Sequence, residues 1–389
     1  MTDFSEITHR LHGIADDHAF STWLPVIAAL RPSPLGPTWR GAPTPQNRDG
    51  RARVSVVVPC YNYAHFLPDA VESVLTQEGV DVQVVIVNDC SPDNTAEVAR
   101  HLASDPRVVA IDNEENLGHV RTFNRGLERA DGEFLVRLDA DDLLTPGCLA
   151  RAVALFDSSA SLGLVYGHPY HFETTQPPTG RVGDISWTIW SGPQWLAERC
   201  RVGVNCITTP EAMLRMSVVR TVGPLDTRLR FAQDMEMWCR VAAVSDVGRV
   251  DGADQALHRD HPGSMSATDG SPAIVDLRER RQVFASVFES TGGALANASL
   301  LHNLARRTLA REAIGYAERA LDKGDPLAAS RFIEFAEETY PAALETGWPA
   351  GVVRRSLGLA KPTPLRLIRR RLAGLLGEIG YARWVVHGI

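Results

Sequence analysis

Runs of β-branched residues recur between residues 53 and 139, and a stretch with helical spacing follows each of the first three. The runs are continuously apolar, which is typical of strands that are buried on both faces of a sheet. Strands and helices that alternate at this short spacing predict an α/β fold with a mostly parallel, doubly wound sheet and right-handed crossovers. The predicted strands are RVSVVVP, VDVQVVIVND, RVVAID and EFLVRLD, and the predicted helices are about 66–76, SPDNTAEVARHLA and VRTFNRGLERA.

Each of these predicted strands ends in a polar segment. In an open parallel sheet, ligands bind in the crevice at the carboxyl ends of the strands. Every segment carries an aromatic residue or a carboxylate, an agreement that a purely structural sheet does not require. The segments read VVVPCYNY, VIVNDCSPDN, IDNEENLG and VRLDADD. The pattern therefore predicts a ligand site at this edge of the sheet.

The fourth segment places three carboxylates, Asp139, Asp141 and Asp142, within four positions. Like charges this close repel one another and resist burial, so a positive group is expected among them unless the segment is a solvated turn. Mg²⁺ and Mn²⁺ prefer oxygen ligands and usually bind through one or two carboxylates together with the phosphates of a substrate. In extended backbone, Asp139 and Asp141 would point the same way. The cluster is therefore a candidate cation site.

The bulk composition narrows the class of protein. The 389 residues carry a formal net charge of −7 and are 44% hydrophobic, as in a soluble globular protein. The mild acidity argues against a nucleic-acid partner, because nucleic-acid-binding proteins carry a basic surface. The six cysteines include no CxxC pair, so neither a zinc site of that type nor a disulfide scaffold is indicated. No signal peptide and no apolar span of about 18 residues is recognisable, and we expect a cytoplasmic location.

Changes of composition along the chain predict three regions. Residues 1–50 form an N-terminal appendage, with a helix from Ile14 to Leu30 and a linker rich in Pro and Gly. Residues 51–270 form the α/β domain; within it, residues 176–206 are less regular, and residues 247–266 are expected to form two short strands and a loop. Residues 271–389 form a C-terminal helical region.

The C-terminal tail is basic, and from Leu367 to Ile379 its apolar residues recur at helical spacing. Such a helix suits peripheral contact with an anionic membrane, here the inner face of the cell membrane. It also suits docking on its own protein or on a second copy in a homodimer. We favour docking, because Gly374 and Gly377 weaken a free-standing helix.

Four segments, in order along the chain, closely resemble the family 2 glycosyltransferases of the GT-A fold. They are VSVVVPCYNYAHFLPDAVESVLTQ, VVIVNDCSPDNTAEVA, NLGHVRTFNRGLERADGEFLVRLDADD and VGPLDTRLRFAQDMEMWCRVA, and the resemblance covers about residues 53–268. It implies an inverting, metal-dependent transfer of a sugar from a nucleotide-sugar, most simply a UDP-sugar, to a hydroxyl of an acceptor. The acceptor would be a glycan, a lipid-linked sugar or a small natural product, and the cofactor would be Mn²⁺ or Mg²⁺.

The resemblance also implies which residues contact the donor nucleotide. Tyr61 matches the aromatic residue that stacks on the base, and Asp89 matches the carboxylate that accepts a hydrogen bond from the uracil ring. The family motif at Asp89 usually reads DDGS, so Asn88 and Cys90 are substitutions in this chain. The full set of expected donor contacts is Pro59, Tyr61, Asp89, Asn116, Gly118, Arg121, Asp139 and Ala140.

One family position in the third segment differs. An arginine commonly precedes the second asparagine of that segment, which is Asn124 here, but Phe123 occupies the place. Arg121 lies two residues earlier, and we transfer to it the contact with the donor diphosphate.

The metal ligands are implied in the same way. Asp141 matches the residue that binds the cation, and Asp139 would lie near the cation or the donor ribose. A histidine in the closing loop of the family can complete the metal shell; His261 is the candidate here and His258 is the alternative. The other histidines, including His168 and His171, are expected to be structural.

Direct displacement also needs a base for the acceptor hydroxyl. Asp234 stands at the second position of the family's Glu-Asp motif and is assigned this role, whereas Gln233 replaces the glutamate of the motif. Glu236 is a rival base. Two helical positions separate side chains by about 200°, so Asp234 and Glu236 are not expected to share the role.

Other interpretations remain open from the sequence. A nucleotide-sugar-binding or scaffolding protein without catalysis would fit the substitutions at Gln233, Phe123 and Cys90. A nucleotidyltransferase of a related fold would show a glycine-rich loop after the first strand, and PCYNYAHF has none. Three tryptophans, Trp187, Trp190 and Trp195, would form either a sugar-stacking wall for the acceptor or part of the core.

Overall fold

The computed structural model describes residues 36–44, 48–174, 176–263, 273–345 and 347–359. The predicted N-terminal helix and the basic segment from Leu367 to Ile379 lie outside the described residues. Within the described ranges, no helix combines the length and the apolar character that crossing a membrane requires.

The described residues form one ten-stranded sheet. Its strands are β1 (Trp39–Gly41), β2 (Ala52–Cys60), β3 (Val80–Asn88), β4 (Val108–Asp112), β5 (Phe134–Arg137), β6 (Leu143–Leu144), β7 (Leu162–Phe172), β8 (Val182–Trp190), β9 (Met213–Arg215) and β10 (Asp246–Arg259). The helices are α1 (Leu67–Leu75), α2 (Thr95–Leu102), α3 (His119–Leu127), α4 (Cys148–Ser158), α5 (Gly192–Val202), α6 (Met216–Val222), α7 (Gln233–Ala242), α8 (Ala273–Glu289), α9 (Ala298–Asp322), α10 (Pro326–Thr339) and α11 (Gly347–Ser356).

The strand order explains where a site can form. The order is β1-β8-β10-β7-β9-β5-β2-β3-β4, and β6 pairs with β10. β2 is parallel to β3 and β5, β3 is parallel to β4, and β10 is parallel to β7. The short β9 is antiparallel to both β5 and β7, so β7 and β10 run in the same direction as β5. The carboxyl ends of all these parallel strands therefore meet at one edge of the sheet.

The continuous apolar runs are buried on both faces, as predicted. In β2, Val57 belongs to one apolar cluster, whereas Val56 and Val58 belong to the cluster on the other face. Successive side chains of a strand point to opposite faces, so a strand between two layers of helices must be apolar at nearly every position. This burial confirms the predicted α/β class with helices on both faces of the sheet.

Three local predictions were wrong in their details. α2 begins at Thr95, not at the preceding Ser-Pro, because the carboxylate of Asp93 accepts hydrogen bonds from the backbone N–H groups of Thr95 and Ala64. Residues 176–206 are regular and contain β8 and α5. The two short strands expected within 247–266 are the single long strand β10. At Gly252, which has φ +84°, the strand forms a bulge and continues through it.

The C-terminal helices pack against the sheet domain through a shared core. Apolar side chains of α8 and α9, such as Val283 and Leu309, belong to the same cluster as Val57 of β2. The buried guanidinium of Arg280 in α8 donates hydrogen bonds to Glu312 of α9 and to the carbonyl of Gly203, which follows α5. The division of the chain at residue 270 stays a prediction, and the core is continuous across it.

Gly126 fits α3 closely against the sheet and yields a stability prediction. A Cβ atom at this position would collide with Cγ1 of Val57 and lie 2.9 Å from Cγ2 of Val87. Both valines are fully buried in strands and cannot move away without disturbing the core. We expect Gly126→Ala to lower the free energy of unfolding by about 1–3 kcal/mol, as overpacking does. Urea denaturation followed by circular dichroism measures the change.

Gly351→Ala is the matched control. Gly351 also lies within a helix, but no atom stands within 4 Å of its Cβ position. Alanine is the better helix former, so this variant is expected to gain up to about 1 kcal/mol. Equal effects of the two substitutions would contradict the close packing of α3.

Candidate functional site

The carboxyl ends of the parallel strands and the loops that follow them enclose a cavity of about 750 Å³. Its wall includes every residue that the sequence assigned to the donor nucleotide, and it also includes Asp141. These residues are Pro59, Tyr61, Asp89, Asn116, Gly118, Arg121, Asp139, Ala140 and Asp141. The structure thus brings together segments that are up to 82 positions apart in the chain, from Pro59 to Asp141. Their individual roles stay predictions.

The three aspartates lie in a turn between β5 and β6, not in extended backbone as the sequence suggested. The N–H of Asp142 donates a hydrogen bond to the carbonyl of Asp139 and closes the turn. Asp139 stays about one-third exposed, Asp141 is largely covered, and Asp142 is buried. The three carboxylates therefore diverge from the turn, and each meets a different partner.

A cationic or ionisable group faces each carboxylate. Arg137, the last residue of β5, donates from Nε and Nη2 to Oδ1 of Asp139 at 3.0 and 2.8 Å. Nε2 of His261 lies 3.0 Å from Oδ2 of Asp141. Nδ1 of His258 lies 3.0 Å from Oδ2 of Asp142, which is buried so deeply that its charge would be costly without such a partner. These three partners are supplied by β5, by β10 and by the segment just after β10.

The surroundings shift the pKa values of Asp141 and Asp139 in opposite directions. Burial and the neighbouring charges of Asp142 and Asp139 raise the pKa of Asp141 to about 6, and the hydrogen bond from His261 only partly opposes them. Burial alone would also raise the pKa of Asp139, but the charge and hydrogen bonds of Arg137 lower it below its ordinary value. The turn therefore concentrates negative potential at Asp141, where a dication would be attracted.

Asp89 shapes one wall of the cavity. Its Oδ1 accepts hydrogen bonds from the side chain of Asn113 at 2.7 Å and from the backbone N–H of Leu117 at 2.8 Å. Its Oδ2 accepts from the N–H of Gly118 at 2.9 Å, and Gly118 has φ +78°, a conformation that favours glycine. Asp89 thus ties the end of β3 to the loop before α3, in addition to the base contact that the sequence assigned to it.

The loops after β2 and β3 hold two strained residues at the rim. Asn62 and Cys90 have φ of 60° and 54°, in the left-handed region that non-glycine residues rarely adopt. The N–H of Asn62 donates to Oγ of Ser91, which joins the two loops. Beside them, the ring of Tyr61 is 48% exposed and free to receive a flat ligand. The left-handed backbone at Cys90 explains why glycine is usual at this position of the motif.

Arginines dominate the remaining wall. The cavity is lined by Arg121, Arg137, Arg228, Arg230 and Arg259. Guanidinium groups bind phosphate and diphosphate oxygens with well-directed hydrogen bonds. Of these residues only Arg121 was named from the sequence. Arg137 carried a readable signal, since it stands two positions before Asp139 at a strand end. Arg228 and Arg230 lie in the loop before α7, and Arg259 is the last residue of β10; none of the three was singled out from the sequence.

Asp234 lies outside the large cavity, behind Arg137. It lines a second cavity of about 20 Å³ together with Thr209 and Arg137, and Arg137 is a wall of both cavities. Asn205 donates a hydrogen bond to Oδ2 of Asp234 at 2.8 Å, and the N–H of Met235 donates to Oδ1 at 2.7 Å. Burial raises the pKa of Asp234 to about 6, a value suited to a general base near neutral pH.

Glu236, the rival base, faces the other way. It is 1% exposed, and its Oε1 accepts hydrogen bonds from Arg240 at 2.7 Å and from Ser286 of α8 at 2.9 Å. The contact with Ser286 joins α7 to the C-terminal helices. The structure therefore gives Glu236 a packing role and leaves Asp234 as the carboxylate of α7 nearer the cavities.

Polar atoms near this wall lack hydrogen-bond partners. Among the described residues, buried Nη1 of Arg137, Nε2 of His119 and Oε1 of Gln233 have none. Buried polar groups are nearly always satisfied, so such a group indicates a missing ligand or water. Because Arg137 and His119 line the large cavity, a hydroxyl-rich ligand there would satisfy atoms that the protein leaves unpaired.

His261 acts on the site through Asp141 and the loop after β2. Besides Asp141, its Nε2 lies 3.5 Å from the hydroxyl of Tyr63, and this hydroxyl donates to the carbonyl of Gly263 at 3.1 Å. His258, unlike His261, lines the cavity itself. Burial would lower the pKa of His258, but the charges of Asp142 and Asp260 outweigh it and raise the pKa to about 10. His258 in β10 and His261 just after this strand thus both reach the aspartate turn.

The tryptophans do not form a wall for an acceptor. Trp187, Trp190 and Trp195 are at most 2% exposed and belong to the apolar clusters on the two faces of the sheet. The sugar-stacking alternative is therefore wrong. An indole gains most from full burial; Trp187 packs on one face of the sheet, and Trp190 and Trp195 pack on the other.

Comparison with known proteins agrees with this geometry. Residues 55–222 match the profile of the family described as glycosyl transferase family 2. An uncharacterized glycosyltransferase of Nostoc sp. is 37% identical over 115 residues, which are 29% of this chain and 36% of that protein. The poly-beta-1,6-N-acetyl-D-glucosamine synthase of Staphylococcus epidermidis is 26% identical over 174 residues, which are 45% of this chain and 42% of that protein. The chain thus spans less than half the length of these curated relatives.

Solved structures show the same fold. The crystal structure of S. aureus TarS 1-349 in complex with UDP superposes with a TM-score of 0.54 at 16% identity, covering 78% of this chain and 86% of that chain. TarS 1-349 in complex with UDP-GlcNAc gives a TM-score of 0.54 at 17% identity, covering 74% of this chain and 82% of that chain. At such identity the likeness shows a shared GT-A fold.

Proposed function

We propose that this chain, which belongs to glycosyl transferase family 2 through its residues 55–222, transfers a sugar from a nucleotide-sugar to a hydroxyl of an acceptor. The donor is a UDP-sugar, the transfer inverts the anomeric centre, and a divalent cation, Mn²⁺ or Mg²⁺, assists it. The observation that carries the proposal is the single cavity lined by Tyr61, Asp89, Asp139, Asp141 and five arginines. The TarS structures with UDP and UDP-GlcNAc share the fold and support the choice of nucleotide.

The donor set fits a hard divalent cation. Asp141 offers a carboxylate at the most negative point of the turn, and His261 approaches the same oxygen. Arg137 occupies only Oδ1 of Asp139, so the second oxygen of that carboxylate has no hydrogen bond within the described part of the chain. Asp139, Asp141 and His261 would hold the cation. Bound there, it would neutralise negative charge on the departing diphosphate.

Base stacking, diphosphate binding and proton removal are each assigned to particular side chains. Tyr61 stacks on the base, and Arg121, Arg228 and Arg230 bind the diphosphate. Asp234 removes the proton from the acceptor hydroxyl, whose oxygen forms the new bond to the anomeric carbon. The bond from that carbon to the diphosphate breaks at the same time, and the nucleoside diphosphate leaves with the electron pair. Arg137 lines both the small cavity of Asp234 and the donor cavity, so the base lies beside the donor site.

The unpaired atoms of His119 and Arg137 support a sugar in the deepest part of the cavity. A hexose carries several hydroxyls that both donate and accept hydrogen bonds, and it could satisfy these groups without a change of fold. The acceptor would enter on the side of Asp234. This acceptor is a glycan, a lipid-linked sugar or a small natural product.

Replacing Tyr61 tests the donor site directly. Tyr61→Ala removes an exposed ring from the wall of the cavity, so UDP affinity should fall with little change of fold. A base-stacking contribution of about 1–3 kcal/mol corresponds to a loss of roughly 5- to 150-fold in affinity. Titration calorimetry with UDP, in the presence and absence of Mn²⁺, measures the effect.

Tyr61→Phe is the control, because it keeps the ring and should keep most of the affinity. Unchanged UDP binding in Tyr61→Ala would show that the base lies elsewhere. A parallel screen of UDP-sugars for transfer and hydrolysis separates the enzyme from its alternative. UDP binding without turnover on any donor would favour a catalytically impaired binding or scaffolding protein, which the replacement of the motif glutamate by Gln233 would then explain.

A further inference from the structure

A second cluster of metal-ligating side chains lies beside the aspartate turn. It consists of His171 at the end of β7, His258 near the end of β10, and Asp260 just after it. Each residue offers one ligand atom, and these atoms lie within 4.8 Å of one another. We propose that His171, His258 and Asp260 form a second cation site, separate from Asp139 and Asp141, that binds a transition-metal dication such as Zn²⁺.

The sheet places the two imidazoles side by side. β7 and β10 are parallel, and His171 pairs in register with His258, so both side chains point from the same face of the sheet. Their ring centroids lie 4.7 Å apart. Asp260 approaches both rings: its Oδ2 is 3.2 Å from Nδ1 of His171, and its Oδ1 is 3.8 Å from Nε2 of His258. Two ligands of a tetrahedral zinc ion at about 2.0–2.1 Å stand roughly 3.3 Å apart, which is close to these separations.

Asp142 orients His258 for such a role. The buried carboxylate of Asp142 accepts a hydrogen bond from Nδ1 of His258 at 3.0 Å and from the backbone N–H of Arg259 at 2.9 Å. The proton on Nδ1 is thereby held by Asp142, and a bound cation would displace the proton on Nε2, the nitrogen on the side of Asp260. A histidine that donates one nitrogen to a carboxylate and offers the other to a metal is the usual arrangement in protein metal sites.

The chemistry of the cluster differs from that of the donor site. Two imidazoles and one carboxylate suit borderline metals such as Zn²⁺, whereas the aspartate oxygens around Asp141 suit Mg²⁺ or Mn²⁺. The side chains of His171, His258 and Asp260 are 12%, 24% and 34% exposed, so an ion can enter and water can complete the shell. Adjacent aspartates thus serve different sites: Asp141 serves the donor cation, and Asp142 supports the second one.

A cation at this position would stabilise one wall of the donor cavity. It would join the ends of β7 and β10 and fix His258, which lines that cavity and holds Asp142 of the turn. The expected consequence is a more rigid closing segment between His258 and Gly263. The proposal is independent of the sugar transfer, since it concerns metal affinity alone.

The test measures Zn²⁺ binding to the full chain by equilibrium dialysis, with Co²⁺ absorption as a second readout. All proteins carry Asp141→Asn, which removes the donor-site carboxylate and leaves the second cluster intact. In this background we expect one Zn²⁺ per chain and the visible absorption bands of four-coordinate Co²⁺. His171→Ala and Asp260→Asn should each weaken Zn²⁺ binding by at least about tenfold, the scale of lost metal-site contacts.

His101→Ala is the matched control, since His101 is an exposed histidine on α2, away from the cluster. Every variant keeps the exposed thiol of Cys90, so adventitious binding there cancels in the comparison. Asp260→Asn keeps the shape of a partly exposed side chain and should fold even if His171→Ala does not. The proposal is overturned if Asp141→Asn alone abolishes binding, or if Asp260→Asn binds Zn²⁺ and Co²⁺ like its parent.

Discussion

Sugar transfer is expected to fall by at least about 10²–10³-fold when Asp141 is replaced by asparagine, the scale of losing one preorganised group that stabilises charge in the transition state. The substitution keeps the size of the side chain and an oxygen that can still contact His261, but it removes the carboxylate at the most negative point of the turn. The gain in UDP affinity that Mn²⁺ produces in the parent protein should disappear as well. Initial rates with a UDP-sugar and titration of UDP with and without Mn²⁺ measure the two effects.

The fold should survive this change. Burial and the charges of Asp139 and Asp142 raise the pKa of Asp141 to about 6, so its ionised form is held at a cost in the folded chain. Removing the charge should leave the thermal midpoint equal or higher. Asp81→Asn is the control, because Asp81 is exposed at the amino end of β3, on the edge of the sheet opposite the site. Unchanged turnover in Asp141→Asn would reject the cation site.

Asp234→Asn is expected to lower the rate of transfer by about 10²–10⁴-fold, the usual contribution of a general base. UDP binding should be unchanged, because Asp234 lies behind Arg137 and does not line the donor cavity. A fall in kcat without a fall in UDP affinity separates the base from the cation ligands. Rapid-mixing turnover and calorimetry on the same protein give both quantities.

The pH dependence checks the same assignment. A base must be deprotonated, and burial raises the pKa of Asp234 to about 6, so the rate should fall as the pH drops through about 6 and level off above it. The profile is measured at saturating cation, which keeps Asp141 ionised because binding competes with its proton. In Asp234→Asn the residual rate should lose this dependence.

Glu236→Gln distinguishes the two carboxylates of α7. Glu236 pairs with Arg240 and Ser286, so this variant should lose stability and keep its rate per folded molecule. Loss of catalysis in a fully folded Glu236→Gln, with normal rates in Asp234→Asn, would reverse the assignment of the base.

Local patterns predicted the first half of the fold well. The apolar runs around Val56 and Val85 became strands buried on both faces, and the segments after them became the loops of one cavity. The reason is that burial on two faces demands apolar residues at successive positions, which is visible in the sequence without knowledge of the partners. The family resemblance then identified Tyr61, Asp89 and Asp141 as candidate site residues, and all three line that same cavity.

Long-range geometry accounts for what the sequence could not show. Residues 247–266 were expected to form two short strands and a loop, but a bulge at Gly252 lets β10 continue as one strand. Trp187 and Trp190 suited either a binding wall or the core, because an amphipathic ring is compatible with both, and only the position of β8 decides between them. His171 looked like an ordinary strand histidine until its register with His258 placed two imidazoles together.

The sequence by itself determined the class of sheet, the direction of its first strands and the edge at which polar residues gather, because these follow from periodicity and from the local backbone. The tertiary structure alone decided which groups meet at that edge. Asp141 and His261 are 120 positions apart, and Asp142 and His258 are 116 apart. Such pairs exist only because the antiparallel strand β9 turns β7 and β10 parallel to β5, so that their carboxyl ends arrive beside the aspartate turn.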